Sequence, residues 1–234
     1  FSFTLGNEFG LQRFSDEQAK QRFLDEVHAM VAMAKNRYPE LLVSTNSGYL
    51  VAPMDVAYPY RGIEAGVPNV KHEFGGYYAT LPDFSIIPKL TGALNPTWLV
   101  EQQKWAAGNT KPGEYQRSLE NSWRHYAGVA KLYIEKLRGL SEFSGYFYWL
   151  INDFPAGTAE GSEWNWGWLN ILWEPKGITP ATGRSMNAEV MPLVDLAPES
   201  RTFWFEDGKT IEAMLSNFGG SAIEGGSLNW ELTS

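Results

Sequence analysis

Short apolar runs alternate with stretches of helical periodicity along most of the chain. The first apolar run, residues 1–5, is followed by Ser15 and Gln18, whose spacing is typical of a capping box at a helix start. The buried face of this helix is marked by apolar residues three and four apart: Phe23, Val27, Met30, Val31 and Ala34. We expect the helix to end before Pro39, because the residue before a proline avoids the helical conformation.

The same alternation continues to about residue 155. Strands are predicted at 41–45, 54–58, 69–73 and 143–151, and helices at 98–105 and 115–137. Strands that alternate with helices predict an α/β fold, with a parallel sheet and helices packed outside it. Polar residues at the carboxyl ends of such strands are where these folds place their chemistry.

The pattern changes after about Pro192. Three alternating segments joined by glycine turns, 202–205, 210–215 and 227–232, predict the first strands of a β-sandwich. We therefore predict two domains, an α/β domain over 1–191 and the beginning of a sandwich over 192–234.

Composition excludes several classes of function. The 234 residues include 19 Lys+Arg and 27 Asp+Glu, a net charge of −8, with no basic run to hold a nucleic acid or an anionic membrane surface. No apolar stretch is long enough to span a bilayer. Cysteine is absent and only three dispersed histidines occur, so the sequence predicts no metal site.

Aromatic residues make up 15% of the chain. Flat aromatic faces suit the apolar C–H patches of sugar rings, which makes carbohydrate a candidate ligand. Glu8 and Glu73 each follow an apolar strand, and a pair of carboxyl groups is what glycoside hydrolysis requires. The alternative for each glutamate is an ordinary surface or salt-bridged residue.

Three segments resemble glycoside hydrolase family 2, the β-galactosidase, β-glucuronidase and β-mannosidase family. Residues 3–8, F-T-L-G-N-E, are similar to its S-L-G-N-E strand end. Residues 71–78 and 81–84, K-H-E-F-G-G-Y-Y and L-P-D-F, resemble its H-E-[MV]-G-x-Y…P-D-F segment. Residues 144–159 resemble its eighth-strand motif, with N-D-F-P-A-G-T-A at their end. The three occur in the family's order.

The resemblance implies a (β/α)8 TIM barrel followed by an immunoglobulin-like sandwich. It implies that Glu8 is the general acid/base, that Glu73 is the nucleophile, and that Asn7 binds the sugar 2-hydroxyl. Residues 1–191 would be the C-terminal part of the catalytic barrel.

Five further residues are implied as substrate-binding, each with a structural alternative. Tyr58 and Tyr60 lie where the family's sixth strand brings a tyrosine hydroxyl near the nucleophile, and either could instead pack in the core. Trp149 would form the floor of the sugar subsite or belong to the core. His72 would hydrogen-bond substrate or orient its strand, and Asp153 would contact a sugar hydroxyl or cap its loop.

Residues 161–173 depart from the family pattern. Trp164, Trp166 and Trp168 are spaced by two, so an extended segment would put them on one side. They would form a sugar-stacking wall or, alternatively, plug the barrel against the sandwich.

Strand counting implies an incomplete barrel. If Glu8 ends strand four and Glu73 ends strand seven, strands one to three are absent, which would leave unpaired edges. We expect the native polypeptide to be longer at both ends, or a partner chain to complete the barrel.

The sequence thus predicts a retaining β-glycosidase acting on a carbohydrate without a cofactor. The alternatives are a non-catalytic carbohydrate-binding or scaffold fragment, and a β-glucuronidase or β-mannosidase of the same clan. A role in polysaccharide degradation would favour an extracytoplasmic location.

Overall fold

The structure is a computed structural model that describes residues 2–49, 51, 53–75, 79–91, 96–156, 162–194, 208 and 210–231. The chain divides into two compact units, one formed by Phe1–Phe74 with Leu140–Trp149 and the other by Gly75–Gly139 with Leu150–Ser234. Tyr77 and Tyr78 of the second motif, residues 157–159 of the third and the predicted strand at 202–205 lie outside the described residues.

The part of the first unit that the structure describes has one long helix and six short strands. Its elements are β1 (Ser2–Thr4), a 3₁₀ turn (Leu11–Arg13), α1 (Glu17–Arg37), β2 (Leu42–Ser44), β3 (Ser47–Gly48), β4 (Tyr58–Pro59), β5 (Val70–Phe74) and β6 (Gly145–Tyr148). β1 pairs with β2, β3 with β4 and β5 with β6, all in parallel. Single parallel bridges, Asn7 to Ser47 and Ala57 to Asn69, continue this pairing in chain order. The carboxyl ends of these strands therefore share one edge.

Helix α1 begins one residue later than the capping-box pattern indicates. Asp16, rather than Ser15, is the N-cap, and its side chain accepts a hydrogen bond from the Gln18 N–H. The helix ends at Arg37, before Pro39 as predicted. Its buried residues are Val27 and Val31, whereas Met30, expected on the same face, is exposed.

Asp55 links α1 to β2 through an ion pair and a hydrogen bond. Lys35 Nζ lies 2.6 Å from Asp55 Oδ2, and the same oxygen accepts the Val43 N–H of β2 at 2.8 Å. Both contacts favour the carboxylate, and the hydrogen bond from Lys35 is the main cause of a lowered pKa at Asp55.

Among its described residues, the second unit has three α-helices, one 3₁₀ helix and two antiparallel strand pairs. Its elements are a 3₁₀ helix (Phe84–Lys89), α2 (Thr97–Asn109), α3 (Glu114–Arg138), β7 (Phe154–Ala156), β8 (Ser162–Trp164), α4 (Pro180–Met186), β9 (Val190–Val194) and β10 (Ala213–Asn217). β7 pairs with β8, and β9 pairs with β10. The sequence predicts a shared apolar face on α3 formed by Trp123, Tyr126, Ala127, Ala130, Ile134 and Leu137. Four of these six are buried, Trp123 and Ala127 are half-buried, and Leu119 is buried as well.

The strand-rich end of the chain begins at Val190, two residues before the predicted boundary. The segment predicted over 210–215 forms β10, displaced to Ala213–Asn217. Within the described part of the last predicted strand, residues 227–231, no strand is formed. Arg138, the last residue of α3, donates to the Ala188 carbonyl and to Ser216 Oγ, which holds the β9–β10 pair against that helix.

No helix in the described parts of the chain is both long and apolar enough to cross a lipid bilayer.

Candidate active site

The backbone after β1 places Asn7 and Glu8 beside the turn after β2. The Glu8 N–H donates to the Ser47 carbonyl at 2.7 Å, and the Ser47 N–H donates to the Gly6 carbonyl at 3.0 Å. Asn46 fixes the backbone of Phe9, the residue after Glu8. Its side-chain amide accepts a hydrogen bond from the Phe9 N–H and donates one to the Phe9 carbonyl. Glu8 therefore has a fixed backbone on either side.

Glu73 lies at an irregularity in β5. The pairing register with β6 shifts between Lys71 and Phe74, as it does in a β-bulge, and a bulge changes the direction of a side chain. The φ angle of Glu73 is +43°. The residue that the sequence predicts as nucleophile is thus turned out of the normal alternation of its strand.

Both candidate glutamates adopt the left-handed backbone conformation. Glu8 has φ +56° and Glu73 has φ +43°, and the one other non-glycine residue with positive φ in the described ranges is Trp173. This conformation costs about 1–2 kcal/mol for a residue with a Cβ. Strain of this kind concentrates at functional sites, where the surrounding structure enforces it.

The two carboxyl groups meet although 65 positions separate them in the chain. One oxygen of Glu8, one oxygen of Glu73 and a ring nitrogen of His72 all lie within 4.8 Å of one another. The Glu8 side chain is 36% exposed and the Glu73 side chain 21% exposed, so solvent and ligands can reach both.

Tyr60 connects the two carboxyl groups. Its hydroxyl is hydrogen-bonded to Oε1 of Glu8 and to Oε2 of Glu73. Burial, followed by these two carboxylates, raises the pKa of Tyr60 well above its usual range, so the phenol stays protonated. Tyr58 is instead a buried core residue whose ring packs edge-on against Phe147.

His72 lies beside the glutamates and is buried. Its Nδ1 is 2.6 Å from Ser47 Oγ, and its Nε2 faces Glu8 Oε1 at 3.8 Å and Glu73 Oε1 at 3.6 Å. Nε2 has no hydrogen-bond partner. Burial lowers the pKa of His72, and the two carboxylates oppose that effect, so the imidazole is neutral at pH 7.

A cavity of about 360 Å³ opens next to these groups. Ligand pockets in proteins typically measure about 300–1,000 Å³, so this one fits a small ligand. Its lining is polar on one side and aromatic on the other: Asn7, Ser47, His72, Glu73, Phe147, Tyr148 and Trp149. Asn7 and Trp149, both predicted as substrate-binding, therefore share one cavity with Glu73.

Asp153 belongs to the second unit and is 2% exposed. Its Oδ1 accepts the Gly167 N–H at 2.6 Å, and its Oδ2 accepts from Lys176 Nζ at 2.6 Å. Burial raises the pKa of Asp153, and the Lys176 ammonium opposes the rise. Both oxygens are engaged within this unit, which supports the loop-stabilising interpretation over a sugar contact.

The tryptophans of the unusual loop also belong to the second unit. Trp164 is the last residue of β8, and the Trp166 carbonyl accepts a hydrogen bond from the buried Tyr126 hydroxyl. The Trp168 ring approaches Gly183 of α4, where a Cβ would lie 3.4 Å from it. The second contact favours a packing role for the Trp168 ring, and the sugar-stacking wall stays a prediction.

Ser47 and Gly48 are part of the site but were not predicted. They follow β2 at the same edge of the sheet as Glu8 and Glu73, and that position was the available signal. Gly48 has φ +97°, and a Cβ there would lie 2.9 Å from the Tyr60 ring and 3.3 Å from Glu8 Cγ. Glycine at this position therefore leaves room for Tyr60 to reach both carboxyl groups.

The arrangement has the components of general acid/base and nucleophilic chemistry at one pocket. Glu8, His72 and Glu73 also form a set of metal-ligating groups that the sequence pattern did not indicate.

Searches against protein-family models and against curated protein sequences found no match.

Proposed function

We propose that this chain carries the active site of a retaining β-glycosidase, β-galactosidase-like, built on part of a TIM barrel. Glu73 is the nucleophile and Glu8 is the general acid/base. The observation that carries the proposal is the convergence of two strand-end glutamates, with oxygens within 4.8 Å, beside an aromatic-lined cavity.

The close approach of the two carboxyl groups, with one oxygen of each within 4.8 Å, favours double displacement. Retaining glycosidases hold their carboxyl groups about 5–5.5 Å apart, whereas inverting enzymes need about 6.5–9.5 Å to admit a water molecule between acid and base. A nucleophile at the shorter distance attacks the anomeric carbon directly.

The reaction proceeds in two balanced steps. The Glu73 carboxylate attacks the anomeric carbon while the glycosidic C–O bond breaks and the Glu8 carboxyl gives its proton to the leaving oxygen. The Glu8 carboxylate then removes a proton from water, whose oxygen attacks the same carbon and releases Glu73.

The Tyr60 hydroxyl can serve one ionised and one protonated carboxyl group at the same time. A phenol has one proton to donate and lone pairs with which to accept. It can therefore donate to one carboxylate and accept from the other carboxyl group, which is the combination that the first step requires. Two ionised carboxylates could not both be satisfied by the one hydroxyl.

The cavity lining supports a neutral sugar. None of the described residues that line it is Lys or Arg, the side chains that would hold the carboxylate of a glucuronic acid. Phe147 and Trp149 offer apolar faces for the C–H groups of the ring. A β-galactoside or β-mannoside fits this lining better than a β-glucuronide.

Covalent trapping of the native protein tests the proposal. Incubation with 2-deoxy-2-fluoro-β-galactosyl fluoride should add one fluorosugar mass, and peptide mass spectrometry should locate it at Glu73. The manno and glucurono reagents test the alternative substrates, and the E73Q variant is the control that should stay unlabelled. Failure of all three reagents to label the folded protein would support a binding or scaffold fragment instead.

A further inference from the structure

Glu8, His72 and Glu73 direct three atoms that can bind a metal ion toward one point. Two are carboxylate oxygens and one is an imidazole nitrogen, and all three lie within 4.8 Å of one another. The His72 side chain is 7% exposed, and its Nε2 is buried without a hydrogen-bond partner while it faces both carboxylates. A buried nitrogen that faces two carboxyl groups and has no hydrogen-bond partner indicates that a ligand can bind there.

The distances suit a small transition-metal ion. Two ligand atoms that each bind zinc at about 2.1 Å with tetrahedral angles stand about 3.4 Å apart. His72 Nε2 lies 3.6 Å from Glu73 Oε1 and 3.8 Å from Glu8 Oε1. The third distance, between the Glu8 and Glu73 oxygens, can be adjusted by rotation of the Glu8 side chain. That side chain is the most exposed of the three.

Ser47 provides the outer contact that such a site needs. A histidine that binds a metal through one nitrogen usually hydrogen-bonds through the other, which fixes the tautomer and the ring orientation. Ser47 Oγ lies 2.6 Å from Nδ1 of His72, on the side of the ring away from the carboxylates. When Nδ1 donates to Ser47, the lone pair of Nε2 points toward Glu8 and Glu73.

We propose that Glu8, His72 and Glu73 bind one zinc-class divalent ion, with the open position of the ion facing the cavity. The mixed nitrogen and oxygen ligand set selects Zn²⁺ or Co²⁺ over Mg²⁺, which prefers oxygen ligands and retains its water. Because the ion occupies both carboxylates, it excludes a glycoside. This inhibitory effect rests on the proposed function, whereas the binding itself does not.

Tyr60 competes with the ion. Its hydroxyl is hydrogen-bonded to the Glu8 oxygen that faces His72 and to the other oxygen of Glu73. Removing that hydroxyl frees the Glu8 oxygen for the metal. Variants of His72 and Tyr60 should therefore change zinc affinity in opposite directions.

Calorimetric titration of the metal-free native protein with ZnCl₂ tests the proposal. We expect one site, a loss of affinity of at least tenfold in H72Q, and tighter binding in Y60F. The S47A variant keeps all three ligands and should weaken binding by about 10–100-fold, the usual effect of an outer-contact loss. It serves as the second variant if H72Q does not fold.

Histidines at the surface provide the matched controls. His28 and His125 are exposed residues of α1 and α3, and H28Q and H125Q should leave zinc binding unchanged. MgCl₂ at the same concentrations should give no comparable heat. Absence of a zinc site, equal binding in H72Q, or loss of binding in H125Q would overturn the proposal.

The two proposals fail separately. If Glu73 is trapped by a fluorosugar but zinc does not bind, only the metal site is wrong. If zinc binds through His72 but no sugar reagent labels the protein, only the glycosidase assignment is wrong. If both hold, zinc should prevent trapping, and EDTA should restore it.

Discussion

Two acidic centres of this protein handle charge in opposite ways. In the second unit, Asp153 is 2% exposed, and its two oxygens are used by the Gly167 N–H and the Lys176 ammonium. In the first unit, Glu8 and Glu73 face each other in a left-handed backbone conformation, with a tyrosine hydroxyl between them. The Asp153 arrangement is internally satisfied, whereas the glutamate arrangement keeps two carboxyl groups together beside a cavity.

The difference separates structural from functional charge. A buried carboxylate with a cationic partner and a backbone donor needs nothing further from a ligand. Two carboxyl groups held at short range by a strained backbone are unfavourable on their own, and such arrangements occur where chemistry requires them. The comparison predicts that changes at the glutamates affect activity, whereas changes at Asp153 affect stability.

Removal of Glu8 should give a large loss of activity that depends on the leaving group of the substrate. E8A loses the proton donor and should lower kcat on substrates with poor leaving groups by about 10²–10⁴-fold, the usual contribution of general acid/base catalysis. Aryl glycosides with acidic leaving groups should be much less affected at the first step, because their oxygen needs little protonation. Urea unfolding should show no loss of stability. A proportional loss on all substrates together with destabilisation would make Glu8 structural.

The D153N change should give the largest effect on stability. It removes the carboxylate that pairs with the buried Lys176 ammonium, a change that costs about 3–5 kcal/mol in comparable buried pairs. Urea unfolding measures the free energy of unfolding, and kcat of the folded protein should stay unchanged. The control is E101Q, which removes the exposed pair with Lys104 and should be neutral. A folded, stable D153N with a raised KM would restore the sugar contact that the sequence predicted.

The Y60F change should have an intermediate effect. It removes a hydrogen bond to a charged group, worth about 1.5–3 kcal/mol, which corresponds to about a 10–100-fold loss of kcat/KM. The matched control is Y58F, in the core beside Phe147, which should leave kcat/KM unchanged.

The smallest expected effect is a gain of stability in E73N. Asparagine tolerates the left-handed conformation better than glutamate, and one of two facing carboxylates is removed, so the free energy of unfolding should rise by about 1 kcal/mol. Activity should be abolished. A loss of stability would show that the backbone at residue 73 is unstrained and would weaken the comparison.

Helix positions follow closely from sequence in this chain. The apolar spacing of α3 predicts its buried face, and Pro39 correctly limits α1. Strand lengths are less predictable, because pairing rather than local propensity decides them: residues 54–58 were expected to form a strand, but only Tyr58–Pro59 do. Helix α4, with Thr179 as its cap and Pro180 at its first turn, was not predicted.

At the site, the sequence pattern predicted which residues contribute but not which of them contact one another. Strand-end position and motif resemblance select Glu8, Glu73, Asn7 and His72 from the sequence. The same pattern could not distinguish Tyr60 from Tyr58, because residues two apart share one face of an extended strand. The two differ because the strand ends at Pro59, between them.

The sequence by itself determined the chemistry available to this protein: two strand-end glutamates, an abundance of aromatic rings, no cysteine and few histidines. Only the tertiary structure decided that Glu8 and Glu73 share one tyrosine hydroxyl, that His72 directs an unpartnered nitrogen at both, and that Asp153 is paired with Lys176. The physical reason is that these relations join residues far apart in the chain. They depend on strand register and on a positive φ at two glutamates, which local sequence preference disfavours.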